Sequence, residues 1–275
     1  MAKKLLKFAK YHGTGNDIII VNGIKNAFLP KNDTIKWLCD RRFGIGADQL
    51  LLLLQSKKAD FRVRIFNKDG SEAEMCGNGL RCLAKYLVDK KFTQKNELNI
   101  ETPAGIIRVR KEKKDYNVDM GKPKLDGKDI PVNLNGMVVN RNFQAKDKTF
   151  KITCVSMGNP HCVIFVDNLE LFPVRLYGPL IEKNPIFPKG VNVEFVSILN
   201  KKEVKMRVWE RGAGETLACG SGACASVVSS ILNGKTDKKV KVRLLGGDLT
   251  VTWGKDEHVY LSGPAVEVYS GEIEI

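Results

Sequence analysis

The chain has 275 residues, 43% of them hydrophobic and 28% charged, an ordinary balance for a soluble globular protein of one large domain or two smaller ones. Its net charge of +14 comes from scattered lysine doublets such as Lys57-Lys58 and Lys201-Lys202 interleaved with acids, with no basic stripe carrying aromatics, so nucleic acid is not an expected partner. The longest aliphatic run, Leu50 to Leu54, is too short to cross a bilayer, and Lys7 breaks the apolar stretch after Lys3-Lys4, so neither a membrane span nor a signal peptide is expected.

In chain order, β-branched and alternating apolar residues predict strands over 18–21 and 61–66. Leu80, Leu83, Ala84, Leu87 and Val88 then recur at helical spacing, which gives a helix with one apolar face, closed by the cations Lys90-Lys91. A strand over 106–110 follows. Lys122 to Asn142, with Gly, Pro, Asn and Asp among its residues, reads as the opening of a second half plus linker. Further strands are expected over 162–166, 191–198, 204–209 and 240–245. The helix over 223–232 is small or apolar almost all round, apart from Ser226, Ser229 and Ser230, so it belongs inside a curved sheet and ends at Asn233-Gly234. Ala265 to Ile275 alternates apolar residues with acids and predicts a last strand, free to return to the first half.

The same local pattern occurs twice, 143 residues apart. Arg64 matches Arg207, Glu72 matches Glu215, and Cys76-Gly77-x-Gly79 matches Cys219-Gly220-x-Gly222. Upstream, Gly15-Asn16 falls on Gly158-Asn159 and Gln49 on Asn192. Downstream, after a one-residue deletion, Gly105 falls on Gly247 and Gly121 on Gly263. The expected domains are therefore 1–121, joined by 265–275, and 122–264.

Each repeat places a thiol before glycines at the start of a helix. There the positive end of the helix dipole favours thiolate, and cysteine pKa values fall from about 8.5 to roughly 3.5–7.5. One thiol can then act as base while its twin stays protonated as the acid. Two groups flanking one carbon invert it in a single pass, with no cofactor. Free N–H groups at both helix ends also suit a carboxylate. Cys39, Cys82, Cys154, Cys162 and Cys224 read as small core residues. An odd count of seven cysteines without an export signal implies reduced thiols in a cytosol. No C-x-x-C pair exists and there are only three histidines, so no metal site is expected. His161 is either a partner for a thiol or a structural turn histidine. Neither glycine-rich segment has phosphate-loop or dinucleotide spacing. Asn16, Gln49, Asn67, Asn159, Asn192, Glu210 and Arg211 form a candidate polar cage. In it Arg211 suits a carboxylate and Glu210 an ammonium.

Several blocks resemble the diaminopimelate epimerase family. They are His12-Gly13-Thr14-Gly15-Asn16-Asp17, Arg42 to Gln49, Asn67 to Glu72, Met75-Cys76-Gly77-Asn78-Gly79-Leu80-Arg81-Cys82, Gly158-Asn159-Pro160-His161, Asn192 to Val196 and Trp209 to Ala223. The resemblance covers nearly the whole chain. It implies an α+β fold of two pseudo-symmetric barrel-like halves, each around a central helix, with the active site in the interdomain cleft. It also implies cofactor-independent conversion of LL-2,6-diaminopimelate to the meso isomer, towards lysine and cell-wall precursor, by a cytoplasmic homodimer. Cys76 and Cys219 would be the acid/base pair, and Asn16, Gln49, Asn67, Asn159, Asn192, Glu210 and Arg211 would hold the substrate. Gly77-Asn78 and Gly220-Ser221 would cradle the α-carboxylate, while His161 and Glu210 would orient the α-amino group or tune the thiols. Ile18 and Ser221 depart from the family's common aromatic and threonine without removing a needed group. A proline racemase-like enzyme and a non-catalytic amino-acid binder on the same fold are the alternatives.

Overall fold

A computed structural model describes residues 5–24 and 28–275; Lys3 and Lys4 lie outside the described residues. The first run of elements is β1 (Leu5–Gly13), β2 (Asn16–Asn22), α1 (Asn32–Cys39), β3 (Gln49–Leu54), β4 (Phe61–Asn67), β5 (Glu72–Ala73), α2 (Gly77–Asp89), β6 (Glu97–Thr102), β7 (Gly105–Glu112) and β8 (Asp115–Asp119). After a single 3-10 turn at Gly127–Asp129 and β9 (Arg141–Ala145), the order repeats. It runs β10 (Lys148–Ser156), β11 (Pro160–Phe165), α3 (Val174–Glu182), β12 (Asn192–Asn200), β13 (Glu203–Glu210), β14 (Gly214–Thr216), α4 (Gly220–Leu232), β15 (Lys239–Leu244), β16 (Gly247–Trp253) and β17 (Val259–Gly263). The chain ends on β18 (Val266–Glu274).

The architecture is α+β, in two compact units: Met1–Val118 with Gly263–Ile275, and Asp119–Ser262. In the first, β1 pairs antiparallel with β18 and β2, β2 runs parallel to β3, β3 antiparallel to β4, and β4 parallel to β6, which continues into β7 and β8. The second repeats that pattern from β10, with β9 on its outer side where β18 lies in the first. The short β5 and β14 fold back on β4 and β13 and deliver the chain to α2 and α4.

Each long helix is enclosed by strands of its own unit. α4 is buried from Gly222 through Ser230, as its uniform small and apolar surface requires, and Asn233 caps it before Gly234 at φ 65°. α2 is more deeply enclosed than a single apolar face predicts. Asn78, Arg81 and Cys82 are buried alongside Leu80, Leu83 and Leu87, and the Arg81 Nε donates to the Pro264 carbonyl at 3.4 Å. Lys90 does not cap the helix with its charge; its Nζ turns to Glu267 on β18 at 2.7 Å. Around α3, whose Tyr177 takes part, Phe143, Phe150, Phe172, Tyr177 and Phe195 form an aromatic-rich core. The core that includes α1 in the first unit is largely aliphatic.

Candidate active site

In the first unit the helix start is built by Cys76. Its backbone is extended (φ −144°, ψ 108°), and its Sγ accepts the Gly79 N–H at 3.3 Å, so the thiol takes the place that a serine or aspartate usually fills at a helix N-cap. The Sγ also donates to Asn16 Oδ1 at 3.9 Å, and the same oxygen accepts Asn78 Nδ2 at 3.3 Å. Asn16 turns its Nδ2 to Asp48 at 3.2 Å, and Arg41 ties Asp48 to Asp17 with contacts of 3.1 and 2.6 Å. Burial raises the Asp17 carboxyl, but a hydrogen bond from Lys10, another with the Asp48 side chain, and the charges of Lys10 and Arg41 hold it below the usual carboxylate value. One strand pair away, Gln49 Nε2 donates to Asn67 Oδ1 at 3.0 Å, and Asn67 Nδ2 to Ser71 at 3.1 Å. The structure thus links Asn16, Cys76 and Asn78 in one network and Gln49 with Asn67 in another.

The second unit repeats the construction. Cys219 (φ −123°, ψ 114°) caps α4 by accepting the Gly222 N–H at 3.4 Å, and Ser221 Oγ lies 3.5 Å from its sulfur. The surroundings differ. Glu210 accepts the Thr216 hydroxyl and a hydrogen bond from Cys219. Burial pushes its carboxyl up, helped by Glu194, against those two hydrogen bonds and the His161 ring. His161 is not a turn residue. It lies fully buried in β11, with Nδ1 2.7 Å from Glu194 Oε1 and Nε2 2.9 Å from Asn159 Oδ1. Burial above all, then the charges of Glu210 and Glu194, pushes the Cys219 thiol well above its ordinary value, against hydrogen bonds from Ser221 and the Gly222 N–H. At this cysteine burial and the two carboxylates outweigh the hydrogen bonds at the helix start, the reverse of the lowering expected from a helix N-terminus alone.

Arg211 is exposed, and its Nη1 donates to the Lys189 carbonyl at 3.0 Å. Asn192 is buried and works on the main chain: its Oδ1 accepts the Arg211 N–H at 3.0 Å and its Nδ2 donates to the Pro160 carbonyl at 3.0 Å. Asn192 therefore fixes the backbone on which Arg211 stands. Glu182, at the end of α3, grips the same loop by accepting the Trp209 indole N–H at 2.7 Å and the Gly212 N–H at 2.8 Å. Gly77 and Gly220 open the two helices, so their N–H groups lie among the unpaired donors of each first turn. Among the described residues the buried acceptors Gln49 Oε1, Asn78 Oδ1 and Glu194 Oε2 have no hydrogen-bond partner. Among the described residues no three His, Cys, Asp or Glu side chains are grouped as a metal site requires, and no helix is long and apolar enough to cross a membrane.

The chain matches the family model for diaminopimelate epimerase over residues 8–125 and 153–268, which takes in both capping cysteines. The chain belongs to the diaminopimelate epimerase family. The diaminopimelate epimerase of Acetivibrio thermocellus is 49% identical to it over 277 residues, spanning 98% of this chain and 99% of that relative. The enzyme of Methanococcus maripaludis is also 49% identical, over 98% of this chain and all of the relative. Membership makes the chain an isomerase.

Solved structures share the fold at low identity. A phenazine biosynthesis protein of the PhzF family from Bacillus anthracis superposes with a TM-score of 0.73 at 18% identity, covering 99% of this chain and 100% of that one. A probable proline racemase from Agrobacterium radiobacter gives 0.74 at 15% identity, covering 98% and 92%. Within this epimerase-family chain, sequence reasoning gave no role to Glu194, Glu182, Thr216 or Asp48. A signal existed for Glu194: a carboxylate inside the apolar run Val193-Glu194-Phe195-Val196, at the position that Leu51 holds in the first repeat.

Proposed function

We propose that this chain converts LL-2,6-diaminopimelate to its meso isomer by proton transfer through Cys76 and Cys219, without an organic cofactor. One thiolate takes the α-proton, and the resulting carbanion takes a proton from the other thiol on the opposite face. The carbon is inverted, and the two sulfurs exchange protonation states. No electrons change hands and no covalent intermediate forms.

The observation that carries this reading is the twin capping geometry, in which one cysteine in each unit accepts the amide of the glycine three residues on. The helix-opening N–H groups of Gly77-Asn78 and Gly220-Ser221 suit the α-carboxylate, whose growing negative charge they stabilise as the proton leaves. Asn78 and Ser221 stand between the glycines of each turn, and at twin positions Asn16 opens β2 and Asn159 stands in front of β11. Gln49, Asn67 and Asn192 belong to the same cage, Glu210 receives an ammonium, and Arg211 pairs with the distal carboxylate. The names of the curated relatives support the substrate.

Solvent deuterium tests the proposal. Reduced protein is incubated in D₂O with LL-diaminopimelate or L-proline, in the presence of chelator and without pyridoxal phosphate. Deuterium is expected at the α-carbon of diaminopimelate, with meso product. Exchange into proline alone would favour a proline racemase, and exchange into neither would favour a binding protein.

A further inference from the structure

Beneath each capping turn lies a strand residue that faces the third residue of the helix. In the first unit it is Leu51: a Cβ built on Gly79 would meet its methyl groups at 3.3 and 3.4 Å. In the second it is Glu194, whose Oε1 would lie 2.6 Å from a Cβ on Gly222, the residue whose N–H is bound by Cys219. Glu194 is fully buried, and its Oε2 has no hydrogen-bond partner among the described residues. Its other oxygen holds His161, itself fully buried, where the first repeat has Ile18. A buried carboxylate with one oxygen unsatisfied is costly. The duplication also shows that this scaffold accepts leucine and isoleucine in the same two seats. Fold stability therefore does not account for Glu194.

We propose that Glu194 is a positioning residue that polarises the enzyme at rest: its carboxylate, set behind the α4 N-terminus, keeps the proton on Cys219 and so makes Cys219 the acid member of the pair. This rests on the two-thiol reading and deepens it. The charged and titratable groups facing Cys219 are Glu210 from β13, Glu194 from β12 and, through Glu194, His161 from β11. Glu210 touches the thiol through a hydrogen bond and belongs to the substrate cage, so substrate changes its environment. Glu194 sits behind the turn, and its bias persists whatever occupies the cage. The carboxylate end of the Glu194–His161 pair is the end against Gly222, so a negative field reaches the sulfur even when the imidazole is protonated. The sign follows directly. A negative neighbour disfavours thiolate, so it raises the pH at which Cys219 ionises, and its removal lowers that pH.

The test is peptide-resolved alkylation of the reduced full-length protein by iodoacetamide as a function of pH, without substrate. In the native protein Cys219 is expected to label with a midpoint above the ordinary cysteine value of about 8.5. In Glu194→Gln, which keeps the size and an acceptor for His161, the midpoint should fall by about one unit. That is about tenfold more thiolate at any pH below it, with Cys76 labelling unchanged. Equal Cys219 midpoints in the two proteins, or the same shift at both cysteines, would overturn the proposal. So would a native Cys219 midpoint at or below the ordinary value, which decides the matter even if the variant does not fold. Because no substrate is present, this result and the deuterium result can fail independently.

Discussion

Cys76 and Cys219 cap helices of equal length at the same point of a duplicated chain, yet the first is flanked by amides and hydrocarbon and the second by carboxylates. The pairs that differ include Ile18 and His161, Leu51 and Glu194, Asn67 and Glu210, and Asn78 and Ser221. All of them sit on matched strands or in the turns those strands feed. What is held in common is main-chain geometry: the capping sulfur, the following glycines and the parallel pairings of β2 with β3 and β11 with β12. Strand register fixes where each side chain points, so one substitution changes the chemistry of a seat without moving it. A twofold scaffold can thus carry two unlike thiols. An inversion needs that, because donor and acceptor must differ at the moment the proton moves.

The largest effect should come from the feature the halves share. Cys76→Ser and Cys219→Ser are each expected to lower epimerisation by about 10²–10⁴-fold, with unchanged circular dichroism and melting. Serine can still cap the helix, so the loss isolates proton transfer from folding. If one variant keeps activity within tenfold of the native protein, the demand on the two thiols is unequal and a one-base mechanism replaces the symmetric one.

The duplicated scaffold was legible because it is written in spacing. The 143-residue offset that aligns the cysteines also aligns β1 with β10 and α2 with α4. Burial of α4 followed from its lack of a polar face. The contents of the second half-site were less legible. His161 sits beside Asn159 and Pro160, residues that usually mark a turn, so its burial within β11 depends on a strand pairing that local composition does not encode. Glu194 occupies a run otherwise apolar, and Glu182 lies on another helix. Their partners, Gly222 and the Trp209–Gly212 loop, are distant in sequence and meet only in the folded unit. Arg81 was hidden for a different reason: an arginine on a helix reads as solvated until the surrounding strands enclose it.

Adding one methyl group at the twin helix starts sharpens the contrast between seats. A Gly222→Ala methyl would press on the Glu194 carboxylate at 2.6 Å, closer than carbon and oxygen pack, and would disturb the contact with His161. About 3 kcal/mol of destabilisation is expected, at the upper end of the overpacking range. Gly79→Ala instead meets flexible Leu51 methyls at 3.3 and 3.4 Å, which need give only slightly. Alanine also gains up to about 1 kcal/mol over glycine within a helix, so this variant should stay within about 1 kcal/mol of the native protein. Urea titration of both variants checks the order. Equal losses would mean that the backbone, rather than the residue beneath, sets the requirement for glycine.

The smallest expected difference lies in the repeated arginine–glutamate pairs, which test whether burial alone separates the two halves. Arg64 holds Glu72 with bonds of 2.8 and 2.9 Å, but the side chains are 32% and 37% exposed. Arg207 holds Glu215 at 2.9 and 2.6 Å with exposures of 18% and 10%, and its Nη1 also donates to the Leu169 and Phe172 carbonyls at 3.0 Å each. Water screens the first pair, so Glu72→Gln should cost less than about 1 kcal/mol, and the cost should shrink further in high salt. Glu215→Gln leaves the Arg207 guanidinium half-enclosed beside a neutral amide while its two carbonyl bonds stay in place, and it also loosens the exposed Arg175 contact to Glu215 at 3.2 Å, which water already screens; the cost should be about 2 kcal/mol with little dependence on salt. If the two variants unfold at the same urea concentration, exposure is not what distinguishes the repeats. The comparison would then rest on the carboxylates around Cys219 alone.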